Sequence, residues 1–382
     1  MLLFWLVGAC LRVTVLAVPP VVPLLHADLH LTETGIGWLS SLPPMLFAIA
    51  AVPGALIIAR FGLVPALLAG LLLCSAGSAA RGAFASTAFL FAATIAMGAG
   101  ISIVQTVMPP LVRAWFPERI GLATSIYANG LLVGEIIPVS LSIPLVLPLL
   151  HDSWRLDFVI WSAPVLATAL LFTLCAPRRD TAGPAATAPQ RRWWPDWRDP
   201  LIWRLGLILG SVNATYFVAN AFLPDLVTAA GRPDLVSSAL TAINVGQLPA
   251  SFLMLPLAER LVKEPWSYAA TGLLATLCVI AMLVTRGDWI VFWAAVLGFT
   301  GAITLIMALA LPSILSAADD VHRTTAGMFT ISYSCAMALS VIVGWLWDVT
   351  HRPIIGFAPI ALCGLFIAAL ASTVRHVGRQ RT

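Results

Sequence analysis

From Ile120 to Leu150 the sequence carries one charged side chain, Glu135. An apolar run of this length suits a membrane-crossing helix, for which about 20 residues are enough. Its residues do not alternate in the way that strands of a membrane barrel require. Comparable runs recur near 2–25, 35–59, 62–81, 87–113, 120–150 and 154–176, then near 200–229, 234–260, 266–285, 289–316, 324–348 and 353–374. With 60% hydrophobic and 10% charged residues and a mean hydropathy of +0.96, the chain lies far from soluble domains, which are roughly a quarter charged. The expectation is an all-α integral membrane protein of twelve transmembrane helices.

The long polar stretch PRRDTAGPAATAPQRRWWPDWRDP divides these runs into two sets of six. It predicts an N-terminal six-helix bundle over 1–176, a cytoplasmic linker over 177–199 and a C-terminal six-helix bundle over 200–382. Trp193, Trp194 and Trp197, flanked by arginines such as Arg191 and Arg198, suit a segment lying against lipid headgroups. Lys and Arg concentrate on one set of loops, at Arg60, Arg113, Arg119, Arg178, Arg260, Lys263, Arg323 and Arg375 among others, against Arg81, Arg155, Arg232, Arg286 and Arg352 on the other. That bias predicts cytoplasmic termini in a bacterial-type inner membrane, and the +4 net charge reflects it without calling for nucleic acid. Val7-Gly8-Ala9-Cys10 loosely resembles a lipoprotein cleavage box, but no basic residue precedes the apolar run, so a retained first helix is expected. All six cysteines fall inside apolar spans with no CxxC, which predicts packing residues with neither disulfides nor metal.

The halves share weak internal similarity, as in a duplicated transporter. The second span, SLPPMLFAIAAVPGALIIAR, resembles the eighth, INVGQLPASFLMLPLAERLVK, with Pro53 and Pro256 at similar depth. Spans three, six, nine and twelve lack Asn, Gln and charge in their interiors and read as a lipid-facing scaffold. Polar groups appear elsewhere: Arg12 in span one, Gln105 in four, Tyr127, Asn129 and Glu135 in five, Asn213, Tyr216 and Asn220 in seven, Asn244 and Gln247 in eight, and Thr330 and Tyr333 in eleven. These residues predict a polar cavity lined from both halves and, Thr330 apart, are the candidate substrate-binding set. Asn213, Tyr216 and Asn220 stand at i, i+3 and i+7, and Asn244 and Gln247 at i, i+3, so each group shares a helix face.

Arg12 and Glu135 lie near mid-span with opposite sign, where an unpaired charge costs about 2.5–3.5 kcal/mol on insertion scales. They are expected to interact, either as a permanent structural tie or as a switch. In the switch, ionised Glu135 neutralises Arg12, and protonated Glu135 frees Arg12 to hold an anion, so that proton and anion travel together. The six histidines sit at helix ends or in loops and offer no mid-span relay. Gly130-x-x-x-Gly134 reads as close helix packing beside Glu135, and Pro109, Pro110, Pro138, Pro144 and Pro148 suggest kinks.

These features resemble the major facilitator superfamily. GISIVQTVMPPLVRAWFPERIGLATSIY, 100–127, is similar to the signature between the fourth and fifth helices of its cyanate and 2-nitroimidazole transporter branch. Leu11-Arg12 ahead of PPVVPLL, Tyr216 with Leu223-Pro224, PASFLMLP at 249–256, GMFTISY at 327–333 and GWLWD at 344–348 add to the resemblance. It implies an inner-membrane carrier working by alternating access. The chain departs from the pattern at Ala59, where the superfamily commonly has an acid before Arg60. It departs again at Gln105, commonly Asn in the branch, and at Glu135, commonly a small residue.

An embedded enzyme would need a nucleophile, base or metal constellation, and the sequence has no HExxH, GxSxG or clustered His and Cys. A signalling sensor would need a soluble output region longer than these tails and linker. The reading is a secondary active transporter, not an enzyme and without cofactor. Its expected substrate is a small anion or a small polar organic compound, with membrane lipid and protons as further partners, and it is expected to act as a monomer. The alternative is an exporter of small aromatic or drug-like compounds such as nitroimidazoles.

Overall fold

A computed structural model of the chain describes residues 1–176, 192–350 and 352–372. Residues 177–191 of the expected linker, with Arg178, Arg179 and Arg191, lie outside the described residues, as do His351, Arg375, His376, Arg379 and Arg381. Every regular element among the described residues is helical. Ten helices are long and apolar enough to cross a membrane, and a bent pair covering Gly35–Ile49 and Ala51–Phe61 makes an eleventh span when counted as one. The shorter apolar helix Ile355–Leu370 stands where the twelfth is expected.

The chain forms two compact units, Met1–Trp115 with Ile126–Pro195, and Phe116–Ser125 with Asp196–Thr382. The first is built from α1 (Leu2–Val13), α2 (Val18–Leu29), α3 (Glu33–Ile49), α4 (Ala51–Phe61), α5 (Leu63–Ala80), α6 (Thr87–Trp115), most of α7 (Ile120–Leu141), α8 (Leu147–Leu149) and α9 (Trp154–Cys175). The second holds α10 (Pro200–Ala229), α11 (Val236–Val245), α12 (Gln247–Leu261), α13 (Pro265–Val284), α14 (Asp288–Leu315), α15 (Val321–Thr350) and α16 (Pro353–Leu370).

The sequence places 116–125 in the N-terminal bundle, whereas the structure groups it with the second unit. The reason is local. The first amides of a helix have no intrahelical acceptor, and here Glu259 Oε2 accepts from Gly121 N at 2.9 Å and Leu122 N at 3.3 Å, while Ser125 Oγ donates to the Met254 carbonyl at 3.3 Å.

Prolines accompany some of the breaks in the spans. Pro19 and Pro20 cannot donate to the carbonyls four residues back, and the helix opens over Thr14–Ala17 between α1 and α2. Pro53 likewise leaves the Ile49 carbonyl without its donor at the 49° bend between α3 and α4. Pro144 lies within, and Pro148 just beyond, a π-helical turn, Ser142–Val146, whose Ser142 is buried. Pro109 and Pro110, by contrast, ride inside an uninterrupted α6, and the eighth span breaks at Gly246 rather than at Pro256.

Val13, Val21, Leu25, Leu90, Trp154 and Phe158 form a core cluster of the first unit, and Val218, Leu223, Ile243, Val279, Leu297 and Phe357 one of the second. The scaffold helices keep exposed apolar faces that suit acyl chains: Leu72 on α5, Leu156, Leu170 and Leu174 on α9, Leu273, Leu277 and Val284 on α13, and Leu362 and Phe366 on α16.

Candidate functional site

In the first unit, α1 and α7 meet along a seam of glycines. A Cβ on Gly130 would lie 2.1 Å from the Trp5 carbonyl oxygen, one on Gly134 2.5 Å from that of Ala9, and one on Gly8 2.1 Å from that of Tyr127. Only hydrogen at these positions lets the backbones approach so closely. Glu135 follows the last of these glycines and Arg12 lies one turn beyond Ala9, so the seam delivers the two charges to the same level. Arg12 Nε stands 3.2 Å from Glu135 Oε1, and each side chain keeps 13% of its surface exposed. The approach is an ion pair rather than an aligned hydrogen bond. The guanidinium also sits 5.9 Å from the centre of the buried Phe47 ring on α3.

The remaining candidate residues of the first unit are buried. Asn129 Oδ1 accepts from Trp5 Nε1 at 2.8 Å, a second tie across the same seam. Tyr127 is 2% and Gln105 4% exposed. Trp5 and Phe47 are neighbours that sequence reasoning missed, because apolar rings give no signal of the polar groups they border.

Three of the six candidates of the second unit, Tyr216, Asn220 and Asn244, are joined to one another. Tyr216 Oη donates to Asn244 Oδ1 at 3.1 Å, Asn244 Nδ2 donates to Asn220 Oδ1 at 2.8 Å, and Asn220 Nδ2 donates to the Tyr216 carbonyl at 2.9 Å. This closes a ring between α10 and α11. Asn213 Nδ2 donates to Ser332 Oγ on α15 at 2.9 Å. Tyr333 stacks on Phe329 with ring centres 6.1 Å apart. Gln247, next to the break at Gly246, is buried with its Nε2 lacking a hydrogen-bond partner among the described residues.

Two further charges were missed. The sequence puts Arg81 in a loop and treats Arg12 and Glu135 as the mid-span charges, yet Arg81 and Asp157 are each 0% exposed within the first unit. The physical cause is the break after α1: it strips the Thr14 carbonyl of its helical donor, and Arg81 Nη2 reaches it at 2.7 Å. A shallow depression of about 520 Å³, lined by Leu24, Asp28, Asp152, Trp154 and Arg155 among others, opens beside the start of α9 and does not include Arg12 or Glu135.

The Major Facilitator Superfamily model matches residues 4–344. The Bacillus subtilis (strain 168) transporter YycB is 23% identical, covering 99% of this chain and 94% of its own. The Escherichia coli (strain K12) 2-nitroimidazole transporter is 25% identical over 94% of this chain and 91% of its own length. The cyanate transport protein CynX of the same organism is 25% identical over 97% and 96%. Among solved structures, the E. coli fucose:proton symporter FucP superimposes with a TM-score of 0.78 at 16% identity, covering 98% of both chains.

Proposed function

The chain belongs to the Major Facilitator Superfamily, and on that premise we propose that this multi-pass membrane transporter moves a small anion together with a proton by alternating access. The observation that carries the reading is the 3.2 Å contact between Arg12 and Glu135 in the interior of the first unit. While Glu135 is ionised, the Arg12 charge is spent on it. A proton on Glu135 releases the guanidinium, whose fork of N–H donors suits a planar or linear anion. The anion then takes the place of the carboxylate, and its departure returns the proton. Arg12 is the anion-binding group and Glu135 the proton carrier. Gln105, Tyr127 and Asn129 are the neutral polar groups that the same unit contributes. In the second unit Tyr216, Asn220 and Asn244 contribute through a preformed network, with Asn213, Gln247 and Tyr333 as further polar groups. The Lys and Arg distribution supports cytoplasmic termini in a bacterial-type inner membrane, with the chain working as a monomer in lipid.

A second reading, export of small aromatic compounds, is favoured by the likeness to the 2-nitroimidazole transporter, which equals in identity that to the cyanate transport protein. The charged pair favours the anion, because a neutral aromatic gives Arg12 no counter-charge once Glu135 is protonated. Thermal-shift screening of the purified protein with cyanate, other small anions and 2-nitroimidazole at acidic and neutral pH separates the two. Stabilisation by an anion, larger at acidic pH and absent in Arg12→Gln, supports the proposal. Stabilisation by 2-nitroimidazole alone, unchanged in Arg12→Gln, contradicts it.

A further inference from the structure

Arg81, at the end of α5, and Asp157, in the first turns of α9, form a second charged centre in the first unit. Both are fully enclosed. Arg81 Nη2 donates to the Thr14 carbonyl at 2.7 Å and to Ser78 Oγ at 3.0 Å, and its guanidinium lies over the Phe158 ring, 4.1 Å from the centre. Asp157 Oδ1 accepts from Trp161 Nε1 at 3.1 Å, and the Ser142 hydroxyl bonds the same carboxylate. What remains is unsatisfied. Among the described residues, Asp157 Oδ2 and Arg81 Nε and Nη1 have no hydrogen-bond partner. The two side chains feel each other's charge but make no ion-pair contact.

A carboxylate clasped by arginine through both oxygens is locked in its ionised form. Asp157 is held differently: one oxygen is fixed and the other is open. A buried carboxylate oxygen that no donor reaches is where a proton is most readily accepted. We propose that Asp157 is a second proton-binding carboxylate, taking its proton on Oδ2, with Arg81 as the fixed charge that balances its ionised form. Other titratable groups near α9 are engaged elsewhere. Cys10 on α1 donates to Thr168 Oγ1, and Cys74 on α5 pairs with the Thr14 hydroxyl. On α2, Asp28 binds Trp154 and Arg155, and the His26 ring meets the Leu31 carbonyl. His151 and Asp152 precede α9, with Asp152 on the rim of the surface depression. Trp154, on the same rim, is one helical turn from Asp157.

The centre bears on the first because the Thr14 carbonyl held by Arg81 belongs to the break that begins two residues after Arg12. Removing the Asp157 charge leaves Arg81 to interact more strongly with that carbonyl. The use of this proton rests on the proton-coupled reading given above; its binding does not.

Infrared difference spectra of the purified full-length protein in lipid nanodiscs, between acidic and neutral pH, read the carbonyl stretch of each protonated carboxylic acid. The expected result is a band lost in Asp157→Asn and kept in Glu135→Gln. Trp161→Phe, which retains the acid but removes one of its hydrogen-bond donors, is expected to shift that band. No band lost in Asp157→Asn, or no shift in Trp161→Phe, overturns the proposal. The measurement involves no substrate, so it fails separately from anion and proton transport through Glu135.

Discussion

Arg12 and Glu135 each depend on the other for their place in an apolar interior. Taking away one partner of a buried pair leaves an uncompensated charge and typically costs about 3–5 kcal/mol, whereas replacing both by apolar groups of similar volume is often neutral. Glu135→Ala is therefore expected to lower thermal stability in detergent sharply, and Arg12→Met combined with Glu135→Leu to recover most of the loss while abolishing transport. Equal destabilisation by the single and the double variant would argue against a direct pair. Asn244 plays a different part: its amide accepts from Tyr216 and donates to Asn220. Interhelical bonds of this kind average about 0.6 kcal/mol in membrane helices. Asn244→Ala should lower stability by roughly that amount, read as a small downward shift in unfolding temperature.

At the scale of elements, the glycine seam between α1 and α7 sets the distance between the two charges. A methyl group on Gly130 would sit 2.1 Å from the Trp5 carbonyl oxygen, so the helices must part, at a cost of about 1–3 kcal/mol for overpacking. Gly130→Ala is expected to lower the unfolding temperature and weaken the Arg12–Glu135 pair, whereas Gly37→Ala, with open space around it, leaves both unchanged. Much of this element was legible beforehand: Gly130-x-x-x-Gly134 announced close packing, and the uncharged runs marked the spans. The breaks were half legible. Prolines marked candidate positions, but Pro109 and Pro110 leave α6 intact while Pro19 and Pro20 follow an opened helix. Arg81 was illegible, because nothing near it in sequence reveals that the Thr14 carbonyl needs a donor. The spacing of Asn213, Tyr216 and Asn220 revealed a shared face but not that Asn244 would meet two of these side chains.

Across the whole molecule, the buried charges described here fall in the first unit, as Arg12 with Glu135 and Arg81 with Asp157, while the buried polar network of the second is built from amides and hydroxyls. The helix α7 belongs to both units, its first turn fastened to α12 by Glu259. Glu259→Gln weakens a charge-assisted cap by roughly 0.5–2 kcal/mol, and faster hydrogen exchange at the Gly121 and Leu122 amides is the expected readout. The central claim is that Glu135 carries the proton that accompanies an anion held by Arg12. Its most direct test is proton entry into proteoliposomes on addition of the anion that best stabilises the protein, compared between wild type and Glu135→Gln. The account predicts proton entry in step with the anion for wild type and anion movement without protons for Glu135→Gln; undiminished proton entry in that variant would contradict it.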